Sequence, residues 1–175
     1  MIRRFVLWLL PFALLAPGVA HAEASEAAVK ATFLVKFGAY VTWPTPGESL
    51  TICAVGRDIL GTALEQAAKD QQVDGRAVVV HRLETIAPDS GCDIAYLAGS
   101  SRQSVKVALA ALQSAPVLTV TDSRLSNDRG MVHFQIIQRR VRFHVDDQAA
   151  ADSGLVISSK LLGIAMSVHP RTSGR

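Results

Sequence analysis

The sequence contains few residues of the kinds that usually carry chemistry. Its 175 residues include only two cysteines, 6% aromatic residues and 19% charged residues. Two thiols are too few for a structural zinc site built from cysteines. Beyond the N-terminal region, no apolar run approaches the length of about 20 residues that a membrane-spanning helix needs. These shortages exclude a cysteine-rich metal module and a protein with several membrane spans.

Sequence motifs of the common enzyme classes are also absent. Gly61 is followed by Thr62 and Ala63, whereas a phosphate-binding loop needs Lys and then Ser or Thr at these positions. Neither the three-glycine dinucleotide fingerprint nor the Gly-x-Ser-x-Gly nucleophile motif occurs. The histidines are scattered, and no two have the spacing of metal ligands on a helix. We therefore expect a protein that is not an enzyme and that holds no metal or other cofactor.

The N-terminus has the features of an export signal. Two arginines precede an apolar run over residues 5–15, and a Pro-Gly pair and an Ala-x-Ala site ending at Ala22 follow it. This order is typical of a secretory signal peptide. An uncleaved anchor is the alternative, but the run is shorter than a membrane span requires. The prediction is a signal peptide over residues 1–22, one domain over residues 23–175, and export to the periplasm.

The charge of the chain gives no indication of a nucleic-acid partner. The formal net charge is +3, and the predicted signal peptide holds two arginines and no acidic residue. The remaining domain is therefore close to neutral. Apart from the Arg139-Arg140 pair and the C-terminal tail, it has no clustered basic residues of the kind that nucleic acids require.

The two cysteines, Cys53 and Cys92, are predicted to form a disulfide. Export places them in an oxidising compartment, where an even number of cysteines favours pairing. A structural disulfide is the preferred interpretation. A redox sensor stays open, because a regulatory pair needs strain or exposure that a sequence does not reveal.

Alternating segments predict a mixed α/β fold. A helix is expected from Ser25 to the region before Pro44, and its aromatic stripe is interpreted as core. Further helices are expected over residues 59–68 and 103–113. Apolar, β-branched runs predict strands at residues 50–55, 76–83, 93–97 and 117–121. Strand, helix and strand in this order indicate Rossmann-like parallel strands in a single domain, with helices on both faces of the sheet.

An antiparallel hairpin is predicted at one edge of this sheet. Apolar and polar residues alternate over 131–137 and 141–145, on either side of a polar Gln-Arg-Arg corner. His133 and His144 would face each other across the two strands, and a surface pair of histidines is preferred over a metal site.

Two regions are candidates for binding. Strand ends that run into helices can hold a small anion or a nucleotide-like ligand, although the signal here is weak. Such a site would be lined by Gly56, Asp58, Gly99, Ser100 and Ser101. The C-terminal region, which we expect to form a short helix, is more apolar than a solvated end requires, with further apolar residues at Ile164 and Met166. Exposed members of this region would contact a protein partner, and the candidates are Leu155, Ile157, Lys160, Leu161 and Leu162.

Several segments together resemble the YfiR family of small periplasmic regulators. They are Ala31 to Phe37, the Trp43-Pro44 corner, Gly130-Met131, Phe143 to Asp146, Gly154-Leu155 and Ser158 to Leu162. The resemblance implies a repressor that restrains an inner-membrane diguanylate cyclase and so lowers cyclic-di-GMP. It also implies a homodimer and sequestration by an outer-membrane lipoprotein. The chain departs from the family pattern at His144, at Asp146 and in having a single cysteine pair, which leaves partner identity and redox control open. The alternative is a periplasmic protein that binds a small molecule at the strand ends.

Overall fold

A computed structural model describes residues 19–172, with side chains from Glu26 onward. The helices are α1 Val19–Gly38, α2 Ala63–Ala68, α3 Val105–Ala111, α4 Asp147–Asp152 and α5 Ser159–Ile164. The strands are β1 Val41–Thr42, β2 Ser49–Gly56, β3 Gln72–Val73, β4 Arg76–Leu83, β5 Ile94–Gly99, β6 Leu118–Asp122, β7 Val132–Ile137, β8 Arg140–Asp146, β9 Val156–Ile157 and β10 Ser167–His169. Most of the predicted signal peptide lies outside the described residues, so it stays a prediction. No helix within the described range is long and apolar enough to cross a membrane.

The main sheet is mixed, as predicted. Among the described residues it has eight strands in the order β10-β8-β7-β6-β5-β2-β4-β3. The five central strands, in the order β4-β2-β5-β6-β7, are all parallel. β8 pairs antiparallel with β7, and β3 pairs antiparallel with β4. β1 and β9 form a separate two-stranded sheet. The hairpin of β7 and β8 does not end the sheet, because β10 pairs in parallel on the outer side of β8.

Helices cover both faces of the sheet, as the alternation along its strands dictates. Leu50 and Ile52 of β2 point into the larger core, which also holds α1 and α2. Cys53 and Val55 point to the opposite face and pack against α3. Adjacent residues of a strand face opposite ways, so both faces of these central strands must be apolar.

The hairpin is confirmed, and its turn explains why it is tight. Gln138 and Arg139 have φ values of 49° and 61°, which are typical of a two-residue type I′ turn. The register pairs His133 with His144 and Phe134 with Phe143. Since register fixes the face of every side chain, this pairing places the phenylalanines in the core.

The predicted aromatic stripe of α1 is confirmed as core. Phe33 and Phe37 contact Phe134 of β7 and Phe143 of β8, with ring centroids 5.4 to 6.1 Å apart. These contacts fix α1 across the hairpin, so the N-terminal helix and the C-terminal half of the chain share one core.

Several predicted boundaries are wrong because tertiary contacts move them. Ser25 lies inside α1 and not at its start, and α1 ends at Gly38, well before Pro44. β1 follows because it pairs with β9. The expected C-terminal helix is divided into β9, α5 and β10. Strand pairing with distant segments produces this division, and a local pattern does not contain that information.

Candidate functional site

The parallel strands β2 and β5 end at the same edge of the sheet, and a cleft lies there. From β2 the chain crosses to β4 on one side, and β5 then pairs on the other side. Ligands of open α/β sheets bind at such a switch point. A cavity of about 440 Å³ lies at this place. Its polar and glycine lining, here named the strand-end cleft, consists of Arg57, Gly99, Ser100, Ser101, Ser104, Ser126 and Asp128.

Gly56 and Gly99 are needed for the close approach of the two strand ends. Gly56 has a φ of 89°, and a Cβ atom there would lie 2.3 Å from the carbonyl oxygen of Gly99. The amide of Arg57 donates to that same oxygen at 2.9 Å. The glycine signal that indicated a ligand is therefore accounted for by backbone packing.

The other predicted ligand residues are largely engaged in local contacts. Asp58 accepts from the amide of Gly61 at 2.9 Å and forms an ion pair with Arg82, and it does not line the cleft. Ser100 Oγ accepts from the amides of Arg102 and Gln103. Ser101 lines the cleft and is exposed. The structure thus brings Gly99, Ser100 and Ser101 together and leaves Gly56 and Asp58 outside.

A buried ion cluster, formed by Lys30 with Glu26 and Asp122, lies beside the C-terminal end of β6. Lys30 is 3% exposed and Asp122 is fully buried, and the ammonium group forms ion pairs with both carboxylates. The hydroxyl of Tyr96 donates to Asp122 Oδ2 at 3.0 Å. Burial and the charge of Asp122 raise the pKa of Tyr96 well above its ordinary range, so this hydroxyl stays protonated.

The sequence patterns did not reveal this cluster. Lys30 stands among the apolar positions of α1, and Asp122 directly follows the apolar run at residues 117–121. The available signal was the position of Lys30, which stands three and seven residues before Phe33 and Phe37 on the buried face of the helix. A lysine on such a face requires a buried partner.

The C-terminal candidates are divided between core and surface. Leu155, Ile157 and Leu161 are only 1%, 4% and 1% exposed. Their side chains pack in the core and are not accessible to a protein partner. Lys160 is exposed and Leu162 is half-buried.

Three large apolar residues of this region that were not among the candidates are exposed. Val156, Ile164 and Met166 are 52%, 60% and 42% exposed. Lys160, Leu162, Ile164 and Met166 are named the C-terminal patch below. Lys160 and Ile164 share one side of α5, since residues four apart on a helix are neighbours.

His133 and His144 face each other across the hairpin, as predicted, but they are not a surface pair. His133 is only 4% exposed, because Thr121 of β6 and His144 of β8 lie on either side of it. The ring centroids of His133 and His144 are 6.4 Å apart. His133 Nδ1 is hydrogen-bonded to Thr121 Oγ1 at 2.8 Å, and the same oxygen accepts from the amide of Gly130. Within the described residues, no group of three or more potential ligands is placed to hold a metal ion.

Folding is expected to be less favourable in mild acid because of His133. Burial, Arg129 and His144 lower the pKa of His133 from its ordinary value, against an opposing effect of Asp122. The unfolded chain therefore binds more protons as the pH falls through about 6.5, and the free energy of unfolding falls with it. Urea unfolding between about pH 5 and pH 8 checks this slope. Burial and Arg129 also lower the pKa of His144, so His133→Gln should reduce the slope without abolishing it, and an unchanged slope in this variant would contradict the assignment to His133.

The predicted disulfide is present between Cys53 and Cys92, with a Cα to Cα distance of 5.8 Å. Cys53 is fully buried in the core that faces α3. The bridge joins β2 to the segment that leads into β5.

Comparison with known proteins gives one finding. No curated protein matches the chain. A protein-family model described as YfiR/HmsC-like matches residues 27–166. The match begins at Ala27 in α1 and ends at Met166 in the C-terminal patch. This family is regulatory and not catalytic, and it implies interaction with a partner sensor protein. The chain belongs to the YfiR/HmsC-like family.

Proposed function

We propose that this protein is a non-enzymatic periplasmic repressor that binds the periplasmic sensor portion of an inner-membrane diguanylate cyclase and holds the cyclase inactive. The observation that carries the proposal is the family match over residues 27–166, since this family suggests a regulator of diguanylate cyclase signalling. The predicted signal peptide supports a periplasmic location. The consequence in the cell is a lower level of cyclic-di-GMP.

Repression follows from differential affinity. A regulator that binds the inactive conformer of a sensor more tightly shifts the population towards that conformer, by no more than the difference in binding free energy. Moving a two-state equilibrium almost completely takes a preference of about 10⁴-fold. The contact surface must therefore contain several side chains that contribute strongly to binding.

The C-terminal patch is the surface that we assign to this contact. It has two large exposed apolar side chains two residues apart, Ile164 and Met166, and the cationic Lys160 lies one helical turn before Ile164. Clustered apolar side chains of this kind are what protein interfaces bury, and methionine adapts to the shape of a partner. Sequestration by an outer-membrane lipoprotein would relieve repression by competing for this region. A homodimer is part of the same proposal.

Replacing Ile164 and Met166 by Glu is expected to abolish repression. Truncation of a central interface residue commonly costs about 2 kcal/mol, or about a thirtyfold loss of affinity. In a strain deleted for the protein, cyclic-di-GMP should rise, and the exported wild-type chain should lower it again. The double variant should not lower it, although it is exported and folded.

Two controls make this result specific. Val107→Glu places one such charge on an exposed apolar residue of α3, which packs against the core on the opposite face of the sheet from Leu161 of α5, and should repress normally. A chain lacking residues 2–22 should stay in the cytoplasm and fail to repress. If deletion leaves cyclic-di-GMP unchanged while the protein is expressed, the repressor function is wrong.

That last outcome would favour a second candidate, a periplasmic protein that binds a small anion or a nucleotide-like molecule. The observation in its favour is the strand-end cleft, where Arg57 and Ser101 line a cavity at the switch point of the sheet. The guanidinium of Arg57 already donates to the carbonyl of Ala98 at 3.3 Å. A ligand would therefore have to share this group with the backbone.

A further inference from the structure

The hairpin of β7 and β8 and the residues just before it carry arginines that form no ion pair within the described part of the chain. The stretch from residue 129 to residue 145 contains four arginines and no acidic residue. The arginines, all exposed, are Arg129, Arg139, Arg140 and Arg142. The ion pairs formed among the described residues engage Arg82, Arg102, Arg124, Arg171, Lys30 and His169, and none of these four.

The turn concentrates three of these arginines around one exposed apolar side chain. Arg139 occupies the turn itself, and Arg140 pairs with Ile137 across the two strands. Arg142 lies on the same face as Arg140, because it is two residues further along β8. Ile137 is 37% exposed on that face. Ile137, Arg139, Arg140 and Arg142 form what we name the arginine tip.

We propose that the arginine tip binds the anionic phospholipid headgroups of a membrane surface. Guanidinium groups make paired hydrogen bonds to phosphate oxygens, and they carry less tightly bound water than ammonium groups do. Ile137 reaches the boundary between headgroups and acyl chains, where an exposed apolar side chain is stabilised.

The geometry of the tip favours a lipid surface over an acidic protein. The arginines lie in the turn and on one strand, at an end of the hairpin where residues 137–140 are all exposed. A fluid layer supplies phosphates that move to meet each of them, whereas a protein would need carboxylates at matching fixed positions. This inference does not depend on the proposed function, because any membrane surface with anionic lipids presents the same chemistry.

The affinity should be modest and sensitive to salt. Each arginine close to an anionic surface contributes about 1 kcal/mol, or about a fivefold change in partitioning, and this contribution is lost as salt screens the surface. Three such residues give about a hundredfold.

Co-sedimentation with lipid vesicles tests the proposal. The probe is the exported, processed protein, mixed with vesicles of phosphatidylcholine or of phosphatidylcholine and phosphatidylglycerol. Wild-type protein should bind only the vesicles that contain phosphatidylglycerol, and high salt should release it. The variant with Arg139→Asn, Arg140→Gln and Arg142→Gln should bind about a hundredfold more weakly. Asn is used at position 139 because it tolerates the positive φ there.

A charge-matched control separates the tip from overall charge. Lys36→Gln, Lys69→Gln and Lys106→Gln together remove three exposed cations that are spread over three elements or their ends. This triple variant should bind as the wild type does. Equal losses in both triple variants, or no binding of the wild type to anionic vesicles, would overturn the proposal.

If vesicles are not bound but the tip variant fails to restore normal cyclic-di-GMP in cells, the tip contacts a protein and the lipid assignment is wrong. Thermal unfolding of each variant confirms that it is folded.

Discussion

Replacing Lys30 by Met is expected to lower the free energy of unfolding by about 3–5 kcal/mol, because it leaves a buried carboxylate without its partner. Asp122 is fully buried, and its remaining donors are the hydroxyl of Tyr96 and the amide of Arg124. Met has nearly the length of the lysine stem, so the loss reports the charge and not a cavity. Urea unfolding at neutral pH measures it.

Two further variants make the Lys30 result interpretable. Lys36→Met removes an exposed lysine from the same helix and should change stability by no more than about 0.5 kcal/mol. Asp122→Asn in the Lys30→Met background removes the uncompensated charge and should recover part of the loss, giving a coupling energy in a double-mutant cycle. A loss below about 1 kcal/mol for Lys30→Met would show that Asp122 does not depend on the charge of Lys30, contrary to the buried ion cluster.

Removing the disulfide is expected to have an effect of similar size. The bridge joins residues 39 positions apart. Closing a loop of that length stabilises the folded chain by about 4 kcal/mol in the chain-entropy account. For a domain of this size, the loss of Cys53 and Cys92 to Ala should lower the melting temperature by roughly 10 °C. Calorimetry of the exported protein checks the shift.

Reduction separates the structural from the regulatory interpretation of this disulfide. A reducing agent should destabilise the wild type as much as the double substitution does, and should leave the double variant unchanged. Cys53 is fully buried, so reduction requires opening of the core that faces α3. If the variant with Cys53→Ala and Cys92→Ala is as stable as the wild type but no longer responds to an oxidant in cells, the cysteine pair is instead a sensor.

Local patterns were sufficient for the central strands, the hairpin and the disulfide. Strands such as β2 and β5 are short β-branched or apolar runs with polar residues or glycine on each side. The pattern that predicts such a strand lies entirely within the segment itself. The hairpin required only alternation and a polar corner. For the disulfide, two cysteines and a predicted export signal were sufficient.

The binding candidates were less predictable, because accessibility is a property of the whole fold. Leu155, Ile157 and Leu161 have the same apolar character as Ile164 and Met166. The first three are buried because they pack with residues from α1, the hairpin and α4, and the last two stay exposed beyond that core. The glycines at the strand ends gave a similar ambiguity, since a ligand and a second strand both require a residue without a Cβ atom.

The sequence by itself determined the fold class, the cysteine pairing and the family resemblance, since each depends on residue identity and on spacing along the chain. Only the tertiary structure decided that Lys30 meets Asp122 and that β10 extends the sheet beyond the hairpin. Both contacts join segments that are far apart in the chain. Contacts of this kind are set by the packing of the whole chain, so no local pattern of residues specifies them.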